Sequence, residues 1–123
     1  MNIQRVIKEL KQKYPDKAII KNPEDNPTEI LCEIEPTADH SEYSVAIAVA
    51  DKSTPHYHKH SIETYEVLRG KLYVFKNGQQ FIVQKGDKII IEPDIVHYVQ
   101  AHETWFTVYS KPGWTLADHI LVT

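Results

Sequence analysis

The sequence predicts an all-β fold, an antiparallel sandwich or barrel preceded by one short helix. Three observations predict it. Short runs of apolar alternation recur from residue 29 onward, separated by turn residues. Asn77-Gly78 lies between two of these runs and is a strong signal for a two-residue hairpin. Helical periodicity is confined to the N-terminus, where Ile3, Val6, Ile7 and Leu10 fall at i, i+3, i+4 and i+7.

Each element follows in order. The helical stripe runs from Ile3 to Lys13 and stops at Tyr14-Pro15, because the residue before a proline is pushed out of the helical region. Its expected role is to pack outside the barrel, over an open end. Residues 21–28 are rich in Asn, Pro and Asp and read as a loop. Ile30, Cys32 and Ile34 alternate with Glu29, Glu33 and Glu35, a strand with an apolar face and a wet face. Leu31 interrupts the wet face and Pro36 ends the strand. Tyr43, Val45, Ile47 and Val49 alternate with Ser44, Ala46, Ala48 and Ala50. With no charge on either face, this strand is expected to be covered on both sides. Its small face borders a ligand cavity, another subunit or, on the plainer reading, tight packing.

Further strands are expected over 71–76 and 79–83, then at Ile89-Ile90-Ile91 after the Gly86-Asp87 turn. Two more, 96–101 and 105–110, are expected to join near His102-Glu103. Trp105 and Tyr109 share a face there and either wall a cavity or fill the core. Pro112-Gly113 breaks the chain before a last strand-like run, 119–122.

Composition sets the outer bounds. The 123 residues suit one domain with a real core, and 41% apolar with 25% charged residues is an ordinary globular balance. The formal net charge of −3 weighs against a nucleic-acid surface. Cys32 is the single cysteine, which excludes an internal disulfide and fits a reducing compartment. The first residues lack a secretory pattern, and no run is long enough to span a bilayer. A cytoplasmic protein without membrane contact is therefore expected.

The chemistry is concentrated between His56 and Gly70. His56 and His58 stand one residue apart, so on a strand both imidazoles share a face while Tyr57 points away. Glu63 follows after a gap that a loop or bend can close, and His97 arrives from far along the chain. Three imidazoles and a carboxylate suit one divalent first-row metal: Zn, Mn, Fe, Ni or Cu. Such a set leaves coordination positions open. Tyr65, two residues beyond Glu63, is the candidate catalytic group through its hydroxyl; a packed tyrosine with a satisfied hydroxyl is the bland alternative. Glu66 is the fallback ligand should the bend fall elsewhere. His60 leaves the site if the chain bends before Glu63. His40, His102 and His119 have no partner pattern and read as surface or core residues.

His56-x-His58-x4-Glu63-x6-Gly70 resembles the first motif of the cupins, and Gly86-Asp87 with Pro93 and His97 resembles the second. The resemblance covers roughly residues 43–110. Ala50 stands where the family often has glycine before the first histidine, and Ala101 where an asparagine often follows the last. The resemblance implies a single cupin domain over 1–123, with a helix-and-strand extension over 1–35 and the barrel core over 43–110. It implies a jelly-roll barrel with His56, His58, Glu63 and His97 on the metal. It also implies either a metal-dependent enzyme for a small polar metabolite, an oxygenase or a sugar-type isomerase or epimerase, or a non-catalytic binding or sensing module. A homodimer is expected because open strand edges need covering, with Ile30–Ile34 and Ile120–Val122 as the candidate edges.

Overall fold

A computed structural model describes residues 1–122. The helix α1, Ile3–Lys13, is followed by ten strands: β1 Ala18–Asn22, β2 Glu29–Glu35, β3 Ser44–Lys52, β4 His56–Tyr57, β5 Ile62–Arg69, β6 Lys71–Lys76, β7 Gln79–Gln84, β8 Lys88–Ile91, β9 His97–Lys111 and β10 Ile120–Leu121. A 3-10 turn, Leu116–Asp118, precedes β10. All pairings are antiparallel.

β9 organises the barrel. Its first half pairs with β6 and, through His97, with β4; its second half pairs with β3 and β5. One strand therefore joins both parts of a single curled sheet. Residues 96–101 and 105–110, expected as two strands, form one bent strand, and Glu103 at the bend has φ 51°. The side chain of Asp51 accepts from the Glu103 amide at 2.8 Å, which holds that bend against β3. β1 is a further difference. Ala18–Asn22 carries too short a signal to be read as a strand alone, and is one because β2 offers it a free edge.

Two apolar clusters lie on opposite sides of the β2–β3 sheet. Inside the barrel, Ala48 and Ala50 pack with Tyr65, Val67, Leu72, Val74, Val99 and Phe106. Outside it, Ile30, Cys32, Ile47, Val49 and Trp105 take the apolar stripe of α1, Val6 and Leu10. Each fully buried side chain of that stripe contributes about 2 kcal/mol. Asn2 caps α1 through its side chain, which accepts from the Arg5 amide at 3.1 Å. Ion pairs Arg69–Glu9 at 2.9 Å and Arg5–Glu103 tie the helix to the sheet.

These clusters decide which way three features face. The small face of β3 looks into the barrel. Trp105 faces the helix, with Arg69 over its ring at 4.4 Å, and Tyr109 is exposed on the outer face, stacked on Tyr43. Neither walls the interior, because beyond the bend at Glu103 the inward face of β9 is the even-numbered one, with Phe106 and Val108. Ile30–Ile34 is not a free edge either: β1 covers one side of β2 and β3 the other. β1 and β10 are the ends of that sheet path.

Candidate metal centre

His56 lies on β4, His58 just after it, Glu63 on β5 and His97 at the start of β9. His56 and His97 are direct partners across the β4–β9 pair. The chain bends between His58 and Glu63, and this brings the carboxylate alongside the imidazoles. One ligand atom from each of the four residues lies within 4.8 Å of all the others. All four are buried, with exposures of 7%, 2%, 3% and 0% in chain order.

The outward nitrogens of the three rings are all engaged. Nδ1–H of His56 donates to the Thr54 carbonyl at 2.7 Å, that of His58 to Asp118 at 2.8 Å and that of His97 to Ile95 at 2.9 Å. Each bond fixes the tautomer and leaves a lone pair on Nε2, as metal-binding imidazoles require. Nε2 of His58 is 3.1 Å and Nε2 of His97 3.3 Å from the same oxygen, Oε1 of Glu63. Nε2 of His58 is buried and makes no well-formed hydrogen bond despite this approach. Lone pairs facing a carboxylate this closely are repulsive unless a cation, or a proton, lies among them. The donor set therefore fits a divalent metal.

Electrostatics agree. Burial pushes the His56 imidazole down to about 3, helped by His97, so it is neutral over the physiological range. For His58, burial works against protonation, but the Glu63 carboxylate outweighs it and raises the imidazole above its ordinary value. Burial alone would raise Glu63; hydrogen bonding to His58 and His97 outweighs it and holds the carboxyl well below the carboxylate range. In the metal-free centre His58 thus holds its proton more tightly than a free histidine does, beside Glu63 where a metal would sit.

Tyr65 donates its hydroxyl to Oε1 of Glu63 at 3.1 Å, and Ser110 donates to Oε2 at 3.2 Å. Burial and the neighbouring carboxylate raise the Tyr65 phenol well above its usual value, so it stays a donor. Its ring packs on Phe106 and stands 6.3 Å from His97. Glu66 faces away, exposed enough to pair with Lys88, and His60 is exposed outside the cluster.

Three residues at the site were missed. His119 stacks on His56 with ring centroids 4.3 Å apart, and Trp114 donates to its Nδ1 at 3.3 Å. Asp118 accepts from the amides of Lys59, His60 and Ser61 at 2.9 to 3.2 Å, closing the bend between His58 and Glu63. Glu29 is the third and is treated below. The pairing of Ile120 and Leu121 with Tyr57 and His56 brings the first two in. The alternation in 119–122 signals a strand but not its partner.

A curled antiparallel barrel with a buried cluster of three histidines and a glutamate defines a class, the small β-barrel proteins with an internal group of side chains that could hold a metal. The chain belongs to the cupin domain family, whose model matches residues 43–109. No curated protein matches it. Similar solved structures include Pac13, a nucleoside dehydratase of Streptomyces, with TM-score 0.74 at 14% identity over 89% of this chain and 87% of that one. KdgF from Halomonas sp. superposes with TM-score 0.63 at 17% identity over 76% and 93%. A protein from Planctomyces limnophilus gives 0.73 at 21% over 88% and 92%. At these identities the likeness is one of fold.

Proposed function

We propose that the chain binds one divalent transition metal through Nε2 of His56, His58 and His97 and the Glu63 carboxylate, and is a metal-dependent enzyme for a small polar metabolite. The observation that carries this is the set of three Nδ1–H bonds to backbone carbonyls, which leaves three Nε2 lone pairs converging on one carboxylate. A bound divalent metal supplies Lewis acidity toward a ligand oxygen. The chain's own residues supply the rest. Ser110 and Tyr65 orient the two oxygens of Glu63, and Tyr65 is the catalytic candidate as the one phenol in contact with that carboxylate. Isomerisation or epimerisation of a sugar-type substrate and oxygenation are the reactions this reading covers. Pac13 acts on nucleosides, and its mutants hold uridine, which supports a neutral polar metabolite.

The depth of burial favours a second reading, a non-catalytic binding module in which the metal organises the barrel. Elemental analysis after exposure to Mn, Fe, Ni, Cu or Zn tests both. About one metal per chain is expected for the wild type and His60→Ala, with the site emptied in His58→Ala. No uptake by the folded wild type would remove the chemistry of the enzyme reading. Uptake with no exchangeable water on the metal, read by water-proton relaxation of the Mn-loaded protein, would favour the binding module.

A cytoplasmic homodimer remains part of this reading. β1 is an edge strand of the sheet and carries the exposed Ile20, and a dimer mass in light scattering at micromolar concentration is expected.

A further inference from the structure

Glu29 lies on the side of β2 that the sequence marks as wet, yet that side faces the barrel interior. Ile30 and Cys32 pack outward against Val6 and Leu10, whereas Leu31 packs inward against the cluster of Ala48, Ala50 and Tyr65. Alternation along the strand puts Glu29 on the face of Leu31. Its partner on β3 is Ala50, on the small inward face of that strand. The carboxyl is enclosed by protein but keeps accessible surface, as a group bordering an internal space does. On β1, Ile20 and Asn22 share that face as partners of Leu31 and Glu29, and both are exposed. Glu29 therefore sits where the inward face of β2 meets the edge strand.

The titratable groups that act on Glu29 from across the interior are Glu63 and Tyr65 of β5; from β1 the Asn22 side chain hydrogen-bonds to its carboxyl and favours the charged form, and its partner on β3 is Ala50. No lysine or arginine is buried among the described residues, and Glu29 makes no ion pair with any described group. A carboxyl brought inside without a cation is costly unless something else uses it. Burial, then the charge of Glu63, push it up to about 7.

We propose that Glu29 is an acid–base group on the inward side of β2, facing a ligand held at the His56–His58–Glu63–His97 centre and exchanging a proton with a hydroxyl or amino group of that ligand. This rests on the metal reading for the ligand's anchor. The proton passes between the ligand heteroatom and a Glu29 oxygen, with no change of oxidation state. The ligand class follows. Its far end is uncharged or cationic and bears donors, because a phosphate or carboxylate there would meet carboxyls and no buried cation.

The test is carboxyl-carbon NMR of protein labelled at glutamate, with the Glu29 signal assigned through its own backbone and checked by its loss in Glu29→Gln. Metal content is measured on the same samples. Expected are a Glu29 titration midpoint near neutrality in the metal-free protein and strong broadening of that signal by Mn2+. Broadening should vanish in His58→Ala. Glu29→Gln should keep its metal. Mn2+ uptake with a sharp Glu29 signal, or a midpoint in the ordinary carboxylate range, would overturn this proposal alone. Absence of any metal uptake would overturn it together with the metal reading.

Discussion

Asp118 and His58 hold each other from sixty positions apart. The carbonyl of Asp118 accepts from Nδ1 of His58 at 2.8 Å, and its carboxylate takes the three amides that follow His58. One residue near the C-terminus thus sets both the tautomer of His58 and the bend that delivers Glu63.

Asp118→Ala should therefore act on the metal without removing a ligand. Losing an outer-shell support costs roughly 10- to 100-fold in metal affinity. Leaving the amides of a buried bend unpaired costs about 1–3 kcal/mol of stability. Competition with a chelator reads the first and thermal melting of the metal-free protein reads the second. Unchanged affinity in a folded variant would show that the bend holds itself.

Metal affinity should depend on pH through His58. The metal-free protein holds a proton there more tightly than a free histidine does, because Glu63 outweighs burial and raises the imidazole above its ordinary value. The metal must displace that proton, so affinity falls as pH drops through a value higher than that of a free histidine. His56 adds nothing to the competition above about 3. Calorimetry in buffers of different ionisation enthalpy counts the protons released. Release confined to pH below the ordinary histidine range would contradict the His58–Glu63 pairing.

The metal-free protein should lose stability in acid because of His56. Its folded value is about 3, below the unfolded 6.5, so within that window the unfolded chain binds a proton that the folded chain does not. Stability falls from this source by about 1 kcal/mol per pH unit as pH drops below ~6.5. His58 acts in a different window: its raised value gives a contribution that is complete below 6.5 and lost as pH rises through the folded value. Glu29, raised to about 7, works in the opposite sense between there and 4.5. The difference between wild type and His56→Gln isolates the histidine. The variant should gain relative to wild type from pH 6.5 to pH 5 in denaturant titrations, and a constant difference would refute the shift.

Gly70→Ala should destabilise the barrel. Gly70 has φ +96°, and a Cβ there would lie 2.9 Å from Oγ1 of Thr104, which is itself held by the Lys71 carbonyl. The strained backbone alone costs on the order of 1–3 kcal/mol. Thermal melting measures it, and an unchanged midpoint would mean that Thr104 moves aside freely.

The helix and the hairpin at Asn77-Gly78 were legible in the sequence because each depends on local periodicity or on a short spacing, while the grouping of Glu63 and His97 with the histidine pair was legible through the resemblance to a family motif. A period of two places His56 and His58 on one face whatever else the chain does. The stripe Ile3, Val6, Ile7 and Leu10 needs only some apolar surface to cover it. What periodicity cannot supply is the sign of a face. β2 shows an apolar and an acidic side, but only the docking of α1 decides that the apolar side is outside and that Glu29 looks in. The same choice turned Trp105 and Tyr109 away from the interior. His119 and Asp118 reach the centre only because β10 finds β4, a contact between segments with no shared sequence signal. Alternation fixes which residues lie together on a strand; only the packing of one element on another fixes what they face.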